Sequence, residues 1–281
     1  MLDVGHGTSV VVRAPGPWTL LFDAGSRSRP GLARETLGPL LRRWEVRAPR
    51  VVVSHLDRDH AGALPWLISR FGARWLAGAR DAELERSLPR GTPCIDLDGG
   101  LLDLGGDGEG QPRLALLRGL SREDNEGSRS LVVHHGGQLV LLCGDAEEKG
   151  LEASLRSRTL AAEVLGTPPG ARTVLLPHHG AASEAVAELV SLLQPGRAWI
   201  SCEGEPEVLE LLEELPGTIQ WTGAHGPLRL GSLLGGALPE GVLPEEPAGG
   251  THCAEAGAGS AAEGAPGGGL TGGGAPCPDR P

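Results

Sequence analysis

Three consecutive valines, Val51 to Val53, run into Ser54-His55-Leu56-Asp57-Arg58-Asp59-His60, and from about Gly62 an apolar stripe begins in which Leu64, Leu67, Ile68 and Phe71 recur at i, i+3, i+4 and i+7. A short apolar run bounded in this way reads as a buried strand, and the 3.6-residue recurrence reads as a helix lying on a core. The polar segment is therefore a turn at the C-terminal end of a buried strand, where α/β folds place their sites. Two histidines and two aspartates crowd six positions of it. A loop that only caps a helix would explain one acid near the helix N-terminus, not all four groups. Imidazole mixed with carboxylate suits Zn, Mn or Fe(II) better than Ca or Mg, which favour oxygen alone.

The same context occurs twice more. Leu141-Leu142-Cys143-Gly144-Asp145 sets an acid after an apolar run, and Leu175-Leu176-Pro177-His178-His179-Gly180 sets two histidines after another. Singly each is weak, since an acid in that place is ordinarily a helix cap. Joined to the first segment, they supply a carboxylate to bridge two ions and a late histidine.

The rest of the chain is organised around these units. Leu2 to Val4, Val10 to Val12 and Leu20 to Phe22, separated by Gly5-His6-Gly7 and Pro15-Gly16-Pro17, read as an opening meander. Leu37, Leu40, Leu41 and Trp44 share a helix face. Further strands are expected at Leu114 to Leu117, Leu131 to Val133, Leu139 to Cys143, Val174 to Leu176, Ala198 to Ser201 and Ile219 to Thr222, and helices over Glu147 to Leu155, Ser183 to Leu193 and Glu207 to Leu215. Strands in a run, then strands alternating with helices, predict two mixed sheets packed together with helices outside. Residues 1–230 are expected to form this domain. Residues 231–281 contain fifteen glycines and no apolar period, so they are expected to be a disordered tail. His252 and Cys253 within it read as incidental.

No apolar run reaches the roughly 18 residues of a membrane helix, and the first residues lack a signal-peptide pattern, so a cytoplasmic location is the default. Five cysteines, odd in number and with no CxxC pair, exclude a disulfide framework or a cysteine zinc knuckle. The net charge of −11 disfavours nucleic acid unless the bases are clustered. One cluster exists: Arg27, Arg29, Arg34, Arg42, Arg43, Arg47 and Arg50 stand against Glu35 and Glu45 alone. It reads either as a solvated helix face or, through Arg42 and Arg43, as a set of contacts to phosphate.

HxDxDH followed by GD and HHG, with Phe22-Asp23-Ala24-Gly25 before them, resembles the metallo-β-lactamase superfamily. LDVGHG with SHLDRDH, SLVV, GDAE and HHG is similar to the metallo-hydrolase domain of the ComEC competence proteins, over about residues 1–230. The resemblance implies a four-layer αββα sandwich with two divalent ions, Zn or Mn, at one edge. It assigns His55, Asp57, Asp59 and His60 to the first metal motif, Asp145 to the bridging acid and His178 to the late ligand. Asp23 would orient the metal loop, and His6 would line the site. Two departures stand out: Asp57 replaces the histidine of most members, and the segment from Asp124 to Leu131 carries no histidine where most have one. Of His134 and His135, which alternate along a strand, at most one could compensate.

The resemblance implies phosphodiester hydrolysis of DNA, with two ions activating a water held by Asp59 and Asp145; His179, which follows a ligand, reads either as general acid or as a core histidine supporting the ligands. A membrane-channel partner would accompany it, the chain reading as the detached soluble domain of such a protein. Two alternatives remain open, a thioester or lactam hydrolase of the same superfamily and a non-catalytic remnant.

Overall fold

Alternation along the central strands sorts the molecule into layers. The computed structural model describes residues 1–14, 18–95, 112–117, 125–213, 215 and 217–230. The turn Pro15-Gly16-Pro17, Asp124, and the tail from residue 231 with His252, Cys253 and Cys277 lie outside the described residues. The first sheet holds β1 (Val10–Arg13), β2 (Thr19–Phe22), β3 (Arg50–Val53), β4 (Trp75–Gly78) and β5 (Cys94–Ile95) side by side in that order. Its β1–β2 pair is antiparallel and the others are parallel. The second sheet runs from β6 (Arg113–Leu117) through β7 (Ser130–His135), β8 (Gln138–Leu142), β9 (Arg172–Leu175) and β10 (Arg197–Ile200) to β11 (Thr218–Trp221). The β6–β7–β8 part is an antiparallel meander, and β8 to β11 are parallel.

Leu20, Phe22 and Val52 of the first sheet share one buried cluster with Leu114, Leu131, Leu142, Leu175 and Trp199 of the second, so the sheets meet face to face. The intervening residues Leu21, Val51, Val53 and Leu76 point the other way and are equally buried. Helices α1 (Gly38–Arg43) and α3 (Leu64–Phe71), with a π-helical turn at Ala33–Leu37, bring the buried Leu37, Leu40, Leu41, Leu64, Leu67 and Ile68 to the first sheet's side of the molecule. Between them in sequence lies α2 (Arg58–Ala61), and α4 (Ala82–Ser87) follows α3. Behind the second sheet, Leu139, Leu141, Val174, Ala198 and Ile200 pack on Leu151 of α5 (Glu148–Leu155), Leu160 of α6 (Arg158–Leu165), and Leu189 and Leu193 of α7 (Glu184–Leu193). Each such side chain taken from water contributes about 1.5–3 kcal/mol, which explains why strands apolar on both faces settle between helices. The result is the four-layer αββα sandwich.

Local departures from expectation have local causes. Leu2 to Val4 form no strand; Leu2 N–H donates to the Ser9 carbonyl and closes a loop instead. The segment Glu207–Leu212 is a 3₁₀ helix rather than an α-helix reaching Leu215; it opens directly after Pro206 and buries Val208 and Leu212. Helix α6, which has no clear apolar stripe, is fixed by Ser157, whose hydroxyl accepts from Leu160 N–H, and by buried Arg172, which donates to the carbonyls of Thr167, Leu193 and Val164. Among the described residues no helix is long and apolar enough to cross a membrane. The C-terminal ends of the parallel strands β2, β3, β8, β9 and β10 lead into Asp23, the His55 turn, Asp145, His179 and Ser201.

Candidate metal centre

The turn after β3 is held from two sides. The backbone of Asp59 accepts a hydrogen bond from Thr8 N–H (2.9 Å), and that of His60 accepts from Ala24 N–H (2.6 Å). Gly25 lies so close to this peptide that a Cβ there would collide with the Asp59 carbonyl carbon and the His60 nitrogen. Asp23 follows β2 in the left-handed region (φ 52°), a conformation that costs a non-glycine residue roughly 1–3 kcal/mol and persists only where surroundings impose it. Here they do: Asp23 Oδ1 accepts from Ser54 N–H (2.7 Å), and Oδ2 accepts from Ser54 Oγ–H (2.6 Å) and lies 2.8 Å from His60 Nδ1. After β9 two further left-handed residues, His178 and His179, turn the chain back on itself. His179 Nδ1–H donates to the Ser201 carbonyl at the end of β10 (2.8 Å), which leaves Nε2 with its lone pair.

One ligand atom from each of Asp59, His60, Asp145 and His179 can be chosen so that all lie within 4.8 Å of one another. His60 Nε2 is 3.0 Å from Asp145 Oδ1; His179 Nε2 is 3.5 Å from Asp59 Oδ2 and 3.6 Å from Asp145 Oδ2. Among the described residues, four buried atoms here, His55 Nε2, Asp59 Oδ1, His60 Nε2 and His179 Nε2, make no aligned hydrogen bond. A buried polar atom left without a hydrogen bond ordinarily costs about 1–3 kcal/mol, so four in one place mark residues shaped to close around a cation. Nitrogen and carboxylate oxygen in equal number fit Zn or Mn. The donor set fits the group.

Charge is distributed accordingly. Burial alone would lower the His60 pKa, but the carboxylates of Asp145 and Asp23, 3.0 and 2.8 Å from its two nitrogens, outweigh it and raise the value to about 10. Burial alone would raise Asp59, yet the His179 imidazole 3.5 Å away, the charge of His60 and the Arg27 guanidinium bring it down to about 2. Asp145 is likewise held well below the carboxylate range, against burial, by His60, with His179 and His55 adding to it. Burial lowers His55 and His6. Without a cation, the site therefore keeps its proton on His60.

Of the residues expected at the site, Asp59, His60 and Asp145 come together. His55 lies beside them, buried, with Nε2 4.0 Å from both Asp145 Oδ2 and Asp57 Oδ2. Asp57 stands at the rim with its side chain 56% exposed, outside the four-residue cluster. The late histidine moves by one position: His178 is exposed and apart from the cluster, and His179, expected as a proton donor, aims its free nitrogen into it. Two left-handed residues in succession produce that exchange. His6 sits at the mouth, Nε2 3.4 Å from Asp59 Oδ2 and its ring centre 4.5 Å from that of His179.

Arg42 and Arg43 are exposed at the end of α1, whereas Arg27 reaches the site, with Nε 3.2 Å from Asp59 Oδ2 and Nη2 3.6 Å from Asp57 Oδ2. Neither His134 nor His135 compensates for the missing histidine. They end β7 while Ser128, just before that strand, lies at the site, roughly 20 Å away at about 3.3 Å per residue. His134 instead approaches Glu163 of α6 (3.8 Å). Ser54, Ser128 and Ser201 were not singled out by sequence; serine has no spacing signature, and their roles arise only from strand ends meeting across two sheets.

Comparison with known proteins bears on the fold and the family. Recombination protein 2 of Haemophilus influenzae is 27% identical over 242 residues, 82% of this chain and 28% of that protein, so the chain spans little more than a quarter of its relative's length. Among solved structures, the metal-dependent hydrolase Tm1679 of the beta-lactamase superfamily superposes with a TM-score of 0.54 at 19% identity, covering 82% of this chain and 93% of that one. Igni18, a metallo hydrolase from Ignicoccus hospitalis, gives 0.51 at 16% identity, with 81% and 96% covered. These two likenesses speak for the fold. The profile of the Metallo-beta-lactamase superfamily matches residues 2–205, and the chain belongs to that superfamily.

Proposed function

We propose that the chain is a metal-dependent phosphodiesterase acting on DNA. The observation that carries this reading is the mouth of the cluster: in a chain of net charge −11, the groups that overlie Asp59 are an arginine and a histidine, Arg27 and His6. A guanidinium presents a planar fork to phosphate oxygens, so the rim favours an anionic ester. The name of the Haemophilus relative, a recombination protein, is in keeping with a DNA substrate.

Asp59, His60, Asp145 and His179 would hold the cation, with His55 and Asp57 beside them. When bound, the cation supplies Lewis acidity and positive charge at the phosphorus centre. The chain does the rest by position. Asp23 and Ser54 fix His60, and the Ser201 carbonyl fixes His179 in the tautomer that leaves Nε2 a ligand. His179 is therefore a holder of the cation in this reading, not the proton donor. Arg27 draws the substrate phosphate to the rim.

The test is cleavage of single- and double-stranded DNA with Mn, Zn or Mg, beside Asp59→Ala. Cation-dependent cleavage that disappears in the variant and falls steeply with added salt is expected. Cation-loaded protein that leaves DNA intact but cleaves thioesters or lactams, insensitively to salt, would transfer the assignment to a small-molecule hydrolase.

A further inference from the structure

We propose that the centre holds its cations unequally: one is gripped by Asp59, His60, Asp145 and His179, while the Arg27 guanidinium guards the second position and serves as the second positive charge. The inference rests on the reading of this cluster as a metal centre.

The first position is complete in itself, with two imidazole nitrogens and two carboxylates converging within 4.8 Å. The second is begun by His55, whose buried Nε2 has no hydrogen-bond partner and lies 4.0 Å from both Asp57 Oδ2 and Asp145 Oδ2. It is weaker in two ways. Beside that nitrogen stand Asp57, whose side chain is 56% exposed at the rim, and Asp145, which already belongs to the first position. A carboxylate shared with the first position and one that is half in solvent hold a second cation less firmly than two buried imidazoles and two carboxylates hold the first.

Arg27 is the second obstacle. Its Nη2 is 3.6 Å from Asp57 Oδ2 and its Nε 3.2 Å from Asp59 Oδ2, so one guanidinium spans two of the carboxylates that a cation pair would need. A guanidinium does not lose its proton in the working pH range. A second cation must therefore displace Arg27 from Asp57 or bind against its charge. The Arg27 side chain is 55% exposed, which gives it room to leave and makes its replacement compatible with folding. Nearby Arg29 carries the same charge but pairs with Asp3 at 2.7 Å.

Chelator-treated protein comprising residues 1–281 is titrated with Mn(II) in a calorimeter, and the Mn retained after desalting is counted by mass spectrometry. Wild type is expected to retain one equivalent, with a second bound about tenfold or more weakly; Arg27→Ala should tighten the second by about tenfold and the first by less than about threefold. Arg27→Lys, which keeps the charge, should leave the second weak, and Arg29→Ala should change neither. Two equivalents of equal affinity in wild type, or a second affinity unmoved by Arg27→Ala, overturns the inference while the metal centre stands. Wild type that binds no cation overturns the metal centre and the inference together.

Discussion

Asp23 and His60 are both fully buried, and a carboxylate oxygen of the first lies 2.8 Å from Nδ1 of the second. The pair joins the end of β2 to the turn after β3, so orienting a ligand and tying together the ends of two adjacent strands are done by the same contact. Asp23→Asn keeps the shape, and asparagine tolerates the left-handed backbone found there. What it removes is the charge that makes His60 a stronger donor. Cation affinity should fall about 10–100-fold, measured by calorimetry, with the circular dichroism spectrum unchanged. An affinity within threefold of wild type would mean that His60 is positioned by Ser54 and packing alone.

The adjacent histidines should separate cleanly. His179→Ala removes a nitrogen from the four-group cluster and should abolish cation-dependent hydrolysis and reduce bound metal. His178→Ala touches an exposed side chain outside it, and both readouts should stay near wild type. The reverse result would show that the turn after β9 rearranges when cations bind.

Much of this was legible in the chain itself. The apolar runs that became β2, β3, β8, β9 and β10 are short, unbroken and buried on both faces, and the acids and histidines follow them directly. The hidden parts depend on contacts distant in sequence. Strand β4 and helix α6 have no strong period and form because a neighbouring strand or Arg172 completes them. The exchange of His178 for His179 follows from two left-handed residues, which a linear motif does not encode. Arg27 looked like one of seven similar arginines until the loop carrying it was seen bound to the loop carrying His6, by Arg27 N–H to the His6 carbonyl (2.8 Å) and His6 N–H to Ser28 Oγ (3.0 Å).

Gly25 tests how tightly the two loops must approach. The methyl of Gly25→Ala would meet backbone atoms of Asp59 and His60, which cannot swing aside as a flexible side chain would. Overpacking of this kind costs about 1–3 kcal/mol, at roughly 2–4 °C of melting temperature for each in a chain of this size. A lower melting temperature together with weakened cation binding is expected. Gly170→Ala, where an added carbon meets nothing within 4 Å, should alter neither. Equal behaviour of the two variants would refute the close approach.

Stability should depend on pH through the same groups that bind the cation. His60 has a folded pKa of about 10, above its ordinary 6.5; its contribution is whole below pH 6.5 and is lost as pH rises through about 10. Asp59, at about 2, and Asp145, also depressed, contribute fully above their ordinary 3.8 and less as the solution becomes more acid. His55 acts in the opposite sense to His60: burial lowers its pKa, so protonation disfavours the fold as pH drops below 6.5. Protein kept in chelator should therefore melt highest near pH 6.5 and progressively lower on both sides, as recorded by thermal melts from pH 3 to pH 10. With Mn(II) present the alkaline decline should shrink or reverse, because the cation takes the place of the His60 proton and binds better where that proton leaves readily. A metal-free melting temperature that stays level from pH 6.5 to pH 10 would show that His60 is neutral between its two carboxylates, and proton release on cation binding would then be absent as well.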